Sequence, residues 1–261
     1  MPFFADTNVC SKWETDPVVK QNWQVAKAQL ESEGHKYVAC PLVLIELLSR
    51  LVKPESKYFS EDLKSFLFLG NAQERFLSFP GAFVLKTILG VQSPVTTLHP
   101  SDFNQILRCV VSASSREALE SGDVALTGST LFSYGLDFAK IGIPHENGKR
   151  AYAAIMKKNR LNERLPTGRE HAEGILSNLQ IIPANGDVEA VESALDAAYQ
   201  YECFLLSEVD ASYDYLEHAS DWVDRQLLYY LADPAMFIVT NDKNVKYRCR
   251  RSKQSHRVLV I

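Results

Sequence analysis

Two short apolar runs at opposite ends of the chain each stop at an aspartate that has threonine and asparagine beside it. The first run, in MPFFADTNV, ends before Asp6, and the second, in AMFIVTNDKNV, ends before Asp242. Runs of this length predict buried β-strands, because a helix needs a longer segment to bury one face. Strands at both ends of a 261-residue chain can share a sheet only if the fold brings its ends together.

Strand and helix signals alternate after the first run. Apolar residues recur at helical spacing over residues 17–33, and Gly34 stops this segment as a C-terminal glycine does. KYVAC, at residues 36–40, predicts a second buried strand. Pro41 then opens an apolar helix, since a missing N–H costs nothing at a first helical position.

The same alternation closes the chain. It predicts a helix over residues 221–232, a strand over 236–241 and a last strand over 257–261. Units in which a helix follows a strand connect by right-handed crossovers, so they predict a mainly parallel sheet. The two ends together therefore predict one α/β core.

The middle of the chain has a different pattern. Between Pro54 and Asn185 we find helical segments broken by Gly and Pro, without strand alternation. A long helix is predicted over residues 187–206 and a short one over 213–218. We therefore expect an α/β core of residues 1–53 and 215–261, interrupted by a mostly α-helical insertion of residues 54–214 whose last helices pack on the core.

Composition places few limits on partners. The net charge of −4 neither predicts nor excludes nucleic acid, since binding depends on where the cations lie. Five well-separated cysteines without a Cys-x-x-Cys pair are typical of reduced intracellular thiols. Without a signal-peptide pattern or an apolar run long enough to span a bilayer, we expect a cytoplasmic protein with no membrane partner.

Four acidic residues from remote segments are predicted to converge. Asp6 and Asp242 each follow a strand, while Glu46 and Asp224 lie in the first turns of helices that begin at the same edge. Ligands bind at this edge of parallel sheets, where the strands end. Asp221 lies three residues before Asp224, on the same helix face, and could join the cluster.

Clustered carboxylates repel one another unless a cation neutralises them, and hard oxygen ligands favour Mg²⁺ or Mn²⁺ over zinc. Such a pocket suits metal-assisted hydrolysis of a phosphodiester, which needs no nucleophilic side chain. Nucleotide-binding glycine motifs and serine nucleophile motifs are missing from the sequence. The six histidines show no metal-ligand spacing, and we interpret them as structural or surface residues.

Each acid also has a structural explanation. Asp6 and Asp242 lie in turns that favour Asp, Thr and Asn. Asp221 and Asp224 lie in the first turn of a helix, where acids complement the helix dipole. This explanation is slightly favoured for Asp221, whereas the spacing of Asp224 to Asp242 favours function. Glu46 lies among apolar helix residues, where an unpaired carboxylate is costly, and Arg50 one turn on is its alternative partner. The conjunction of all four acids favours function over these separate explanations.

A basic segment follows Asp242. Its cations surround Tyr247, an arrangement that attracts phosphate and allows a base to stack, so we predict contact with RNA. The predicted RNA-binding residues are Lys243, Lys246, Arg248, Arg250 and Arg251. A second, weaker candidate is KRAYAAIMKKNR, at residues 149–160.

These residues resemble the PIN-domain family of metal-dependent ribonucleases. DTNV after the first strand, a lone Glu in the helix after the second, an Asp opening a late helix and TND closing the next strand carry the resemblance, over roughly residues 1–53 and 215–261. It implies a three-layer α/β/α sandwich with a central, mainly parallel sheet. It also implies Mg²⁺- or Mn²⁺-dependent endoribonuclease activity.

The family's acidic quartet corresponds to Asp6, Glu46, Asp224 and Asp242, which would hold the metal and carry catalysis. Its supporting polar residues correspond to Asn8 and Thr240, and we add Asn241 beside them. The resemblance also implies a toxin of a toxin–antitoxin pair, with an antitoxin-like protein partner, and we include a homodimer among the expected assemblies. The long helical insertion departs from the compact toxins of this family.

Two other functions stay open at this point. One is a catalytically inactive PIN-like module that binds RNA or protein, which would retain its activity after Asp6→Ala. The other is a metal-dependent hydrolase of DNA or another phosphate ester, which has the same metal site but prefers another substrate.

Overall fold

The computed structural model describes residues 1–51, 59–70, 76–91, 100–126, 131–162, 164–179, 181–182 and 185–261. The strands within these residues are β1 (Pro2–Ala5), β2 (Lys36–Tyr37), β3 (Asp123–Ala125), β4 (Leu131–Ser133), β5 (Phe237–Thr240) and β6 (Val258–Val260). The N-terminal helices are α1 (Thr7–Lys12), α2 (Pro17–Ser32), α3 (Pro41–Leu51), α4 (Phe59–Gly70) and α5 (Pro80–Val84). The middle helices are α6 (Pro100–Ser112), α7 (Arg116–Glu120), α8 (Tyr134–Leu161), α9 (Gly168–Asn178) and α10 (Asn185–Ala194). The last are α11 (Asp196–Ser207), α12 (Asp221–Leu228) and α13 (Lys243–Arg248).

Three short helical turns complete these elements. A π-helical turn, Leu85–Leu89, continues α5. A 3₁₀ turn, Tyr229–Ala232, extends α12 toward β5, and a second 3₁₀ turn, Ser255–Arg257, precedes β6. The fold is therefore α/β with more helix than strand.

The main sheet has four strands in the order β2–β1–β5–β6. All three pairings are parallel, and in the central one Phe3 lies opposite Phe237 and Ala5 opposite Val239. The two ends of the chain therefore meet as neighbouring strands, as the sequence predicts. Since all four strands run the same way, their carboxyl ends form one edge of the sheet.

Both faces of the sheet are covered, as alternate side chains of β1 show. Phe3 contacts Trp23 of α2, with 6.1 Å between ring centroids, and Tyr37, at 5.6 Å. Phe4 points to the opposite face and meets Tyr230 of the 3₁₀ turn edge-on, at 5.2 Å. This arrangement, with apolar layers on both sides of a parallel sheet, is compatible with an α/β/α sandwich.

Local signals set several of the predicted boundaries. Asp16 caps α2 by accepting from two backbone amides, and Pro17 takes the first helical position. Gly34 follows α2 with φ of +83°, a left-handed conformation that suits glycine, so the predicted stop is confirmed. Pro41 begins α3, also as predicted.

The structure differs from the sequence predictions at several elements. The second strand covers only two residues, and Ala39 makes an isolated bridge to Phe76 beyond it. Tyr213 to His218 forms turns instead of a helix, because Asp210 and Asp214 accept from backbone amides two residues on. Within the predicted helical insertion, β3 and β4 form a small antiparallel sheet whose three-residue strands are too short to give an alternation signal.

The long helix predicted over residues 187–206 is two helices, α10 and α11, that meet at Leu195. Gln254 lies at this break: its Nε2 donates to the Ala194 carbonyl at 2.9 Å, and its Oε1 accepts from the Ala197 amide at 3.0 Å. A remote side chain thus satisfies backbone groups at the break, which local sequence does not reveal.

The division of the chain into a core, residues 1–53 and 215–261, and an insertion, residues 54–214, stays a prediction. Its boundary at Pro54 lies outside the described residues. Helix α11 packs against α12 and α13. Of the helices in the described part of the chain, none is long and apolar enough to cross a membrane. All five cysteines are free thiols.

Helix α3 is buried almost all round. Its buried residues are Pro41, Leu42, Val43, Leu44, Ile45, Leu47, Leu48 and Leu51. It packs against α1, α4 and α8. Its position is therefore fixed by the core, and so is that of Glu46.

We expect Leu48→Ala to lower the free energy of unfolding by about 2–5 kcal/mol, because Leu48 is fully buried and its loss leaves a cavity. The matched control is Leu67→Ala on α4, whose side chain is 53% exposed and whose loss we expect to cost less than about 0.5 kcal/mol. Urea denaturation of both variants measures the difference. Equal losses would contradict the burial of α3.

Candidate active site

Asp6 and Asp242 lie together at the carboxyl edge of the sheet. Asp6 follows β1 directly, Asp242 follows β5 after Asn241, and the Asp6 amide donates to the Val239 carbonyl of β5 at 2.9 Å. Each also caps the next helix: Asp6 accepts from the Asn8 amide at 2.6 Å, and Asp242 accepts from the Asn244 amide at 2.8 Å. The capping explanation and the predicted convergence are therefore both correct for these two residues.

Thr240 connects the two aspartates. Its hydroxyl donates to Asp6 Oδ2 and accepts from the Asp242 amide, the latter at 2.9 Å. Thr240 is fully buried at the end of β5, so the bridge is shielded from water. These two hydrogen bonds connect Thr240 to both aspartates, while its supporting role in a functional site stays a prediction.

Burial raises the pKa of Asp6 from 3.8 to about 6. Hydrogen bonds from Thr240 and Asn8 lower this pKa, while the charges of Glu46 and Asp242 raise it further. These couplings bring Glu46 and Asp242 into the electrostatic environment of Asp6. Ionised Asp6 is therefore costly to the folded protein unless a cation compensates it.

Glu46 enters the same region from α3. The Thr7 hydroxyl, next to Asp6 in the chain, donates to Glu46 Oε2 at 2.5 Å. Burial raises the pKa of Glu46, and the Thr7 hydrogen bond and the charges of Lys149 and Arg50 lower it. Arg50 thus acts on Glu46 through its charge, in part as the structural explanation expected, and the hydrogen-bond partner is Thr7.

Asp224 joins the region from α12. Burial raises the pKa of Asp224 well above its usual value, and the charges of Asp6, Asp221 and Glu46 raise it further. Its Oδ2 accepts from the Tyr201 hydroxyl at 3.1 Å. The predicted acids Asp6, Glu46, Asp224 and Asp242 therefore belong to one electrostatically coupled group.

Asp221 is held differently. It is buried, and its Oδ1 pairs with Arg248 Nη1 at 2.5 Å. It also accepts from the hydroxyls of Tyr201 and Tyr213. With an arginine and two tyrosines as partners, Asp221 is placed to orient its neighbours, which favours the structural explanation over metal binding.

Tyr201 and Tyr213 were missed by sequence reasoning. The Tyr201 hydroxyl, fully buried on α11, lies between both α12 aspartates and also accepts from Arg248 at 2.8 Å. A tyrosine inside an apolar helix gives no spacing signal that points to this contact. Thr7 belongs to the DTNV segment, but the sequence does not reveal its hydrogen bond to Glu46, because that bond depends on the packing of α1 against α3.

The basic segment is partly used within the protein. Arg248 is paired with Asp221, and Arg250 and Arg251 both pair with Glu208. Lys243 and Lys246 are exposed on α13. Lys243, Lys246 and Arg251, whose side chain is 64% exposed, are thus the most exposed of the five predicted RNA-binding cations.

The two supporting asparagines contribute in different ways. Asn8 offers its backbone amide to Asp6. The Asn241 side chain, with its amide nitrogen toward Ile261, donates to the Ile261 carbonyl at 2.9 Å and accepts from Lys12 Nζ at 3.1 Å. Asn241 therefore connects Ile261 to Lys12 of α1 by hydrogen bonds at the carboxyl edge of the sheet.

The four acids fit a hard divalent cation by chemistry but are not arranged as a finished set of ligands. Their oxygens are the donors that Mg²⁺ and Mn²⁺ prefer, and burial, together with the charges of neighbouring acids, raises the pKa values of Asp6 and Asp224. Within the described residues, however, no three His, Cys, Asp or Glu side chains form a group that could hold a metal. Hydroxyls of Thr7 and Thr240 occupy two of the carboxylates instead.

Comparison with known proteins finds no match to this chain among family models, curated proteins or solved structures.

The raised pKa of Asp6 predicts a pH-dependent stability. Because the folded state holds this proton more tightly than the unfolded chain, its contribution is fully present below pH 4 and is lost as the pH rises through about 6. A pKa raised by about two corresponds to roughly 3 kcal/mol in the free energy of unfolding. We therefore expect Asp6→Asn to be more stable than the wild type at pH 7 by up to about 3 kcal/mol, and no more stable at pH 4.

Urea denaturation at both pH values measures this difference. Asp16→Asn is the matched control, since Asp16 also caps a helix and Asn caps as well as Asp, so we expect little change at either pH. A wild type that gains stability relative to Asp6→Asn between pH 4 and pH 7 would contradict the account.

Proposed function

We propose that this chain is a metal-dependent endoribonuclease with a PIN-like core, which hydrolyses phosphodiester bonds of RNA. The observation that carries the proposal is the coupled group of Asp6, Glu46, Asp224 and Asp242 at the carboxyl edge of the parallel sheet. These residues come from remote segments, and keeping them together costs stability. Perturbed carboxylates of this kind are typical of functional sites.

The chain's residues would divide the work as follows. Asp6, Asp224 and Asp242 would hold Mg²⁺ or Mn²⁺, and Glu46 would complete the acidic group. Tyr201 would position Asp224 by its hydrogen bond, together with Arg248 and Asp221. A bound divalent ion supplies a Lewis acid that polarises a phosphoryl oxygen and lowers the pKa of water.

Recognition of RNA would begin at α13, directly after Asp242. Exposed Lys243 and Lys246 attract phosphates beside the acidic group. Tyr247 is 54% exposed, and the Arg250 guanidinium lies over its ring at 4.1 Å. Together they offer a stacking surface for an unpaired base.

A second candidate is an inactive PIN-like module that binds RNA or protein. It is favoured by the hydroxyl donors on Asp6 and Glu46 and by the lack of a finished metal-ligand group among the described residues. A hydrolase of DNA or of another phosphate ester would use the same acids. The toxin role, the antitoxin-like partner, a homodimer and a cytoplasmic location stay predictions.

The test is cleavage of labelled single-stranded RNA and matched DNA with Mg²⁺, Mn²⁺ or EDTA. We expect cleavage of RNA that requires metal and falls roughly a thousandfold in Asp6→Asn and in Asp242→Asn, since metal stabilisation is worth several kcal/mol. Asp16→Asn should cut as the wild type does. Intact RNA in every lane with folded protein would contradict the nuclease, and equal cutting of DNA would contradict its substrate.

A further inference from the structure

A cavity of about 400 Å³ lies between α3 and α8. On α3 it is lined by Ser49, one helical turn beyond Glu46. On α8 it is lined by Glu146, whose charge raises the pKa of Glu46 and which pairs with Lys149 at 3.1 Å. Through both helices the cavity therefore borders the acidic group.

The walls of the cavity combine apolar surface with neutral polar groups. Phe138, Gly142 and Ile143 supply the apolar part. Asn147 supplies an amide that can donate and accept hydrogen bonds, and the Ser49 hydroxyl, which donates to the Glu46 carbonyl at 2.7 Å, can still accept one. With Glu146 and Arg150 as its only charged lining residues within the described part of the chain, the cavity suits a small, mostly uncharged ligand.

His145 adds an unused hydrogen-bonding group. It lines the cavity and is 6% exposed, and its Nε2 has no hydrogen-bond partner among the residues that the structure describes. Its ring is held edge-on against Trp222 at 5.0 Å. Burial lowers the pKa of His145 to about 4, so the imidazole is neutral at pH 7. A neutral imidazole suits a heterocycle better than an anion.

The charged residues around the cavity determine how a charged ligand can lie in it. Glu146 within the cavity disfavours a phosphate there, whereas exposed Arg150 lies at the same cavity and Lys157 follows two turns along α8. A nucleotide of a single strand satisfies both conditions, since its base is neutral and its phosphate can lie on the cationic side.

We propose that the cavity between α3 and α8 is a nucleobase pocket, which receives a base of the single-stranded RNA whose phosphate lies at the acidic group. The proposal rests on the proposed function and adds a site of base recognition to it. It gives α8, within the predicted helical insertion, a direct part in choosing the substrate.

Gly142 allows the cavity to be filled without disturbing its surroundings. A Cβ built on Gly142 meets no atom of the described part of the chain within 4 Å, and the backbone there is helical, so Gly142→Leu projects into open space. Gly174 on α9 is the matched control, because it is also helical and its Cβ also meets nothing within 4 Å. Ile143→Glu, at a side chain 60% exposed, is a second cavity variant that spares the core.

Binding is measured by fluorescence anisotropy in EDTA, so that no result depends on cleavage. The probes are short homopolymeric RNAs of each of the four bases and a ribose-phosphate strand without bases. We expect the wild type and Gly174→Leu to bind at least one homopolymer about tenfold more tightly than the strand without bases. We expect Gly142→Leu and Ile143→Glu to lose that difference and to keep their affinity for the strand without bases.

Equal binding of all probes by the wild type, or an unchanged preference in both cavity variants, would overturn the pocket. The cleavage assay then judges the nuclease separately. If the protein cuts RNA but binds all probes equally, the nuclease proposal stands and the nucleobase pocket is rejected. If binding depends on the base but no RNA is cut, the pocket stands and the nuclease proposal is rejected.

Discussion

The pairing of β1 with β5 is the contact on which the rest of the structure depends. It joins the two ends of the chain in parallel, with Ala5 opposite Val239, and it places Asp6 and Asp242 at one edge of the sheet. Closing so long a loop has an entropic cost that grows only slowly with loop length. Buried contacts on both faces of β1, from Phe3 and Phe4, offset it.

The same pairing creates the main electrostatic cost of the fold. Thr240, on β5, is hydrogen-bonded to Asp6 and to the Asp242 amide, so the strands cannot pair without bringing the acids together. Glu46 and Asp224 add charge from two further helices. A protein selected for stability alone has no reason to bury these acids together, whereas a cation-binding site does.

The sequence predicted those features that depend on local pattern. The strands ending at Asp6 and Asp242, the stop at Gly34 and the start at Pro41 were recognisable because strand length, glycine and proline act within a few residues. The convergence of four acids followed from parallel topology, which brings strand ends together wherever they lie in the chain.

Contacts between remote side chains were not predictable in the same way. Gln254 divides α10 from α11, Tyr201 lies between Asp221 and Asp224, and Arg248 pairs with Asp221 instead of facing solvent. Each depends on helix packing that a single sequence does not encode as a spacing. The role of α8 beside Glu46 belongs to the same class, since Lys149 and Glu146 reach Glu46 only in the folded chain.

The central claim is that the acidic group of Asp6, Glu46, Asp224 and Asp242 holds a divalent cation. Crystals grown with Mn²⁺, with anomalous diffraction data recorded at the manganese edge, test it most directly. The account predicts an anomalous peak within coordination distance of Asp6 and Asp242, with Asp224 turned from Tyr201 toward the ion. Manganese found only elsewhere, with the Thr7 and Thr240 hydrogen bonds unchanged, would contradict it.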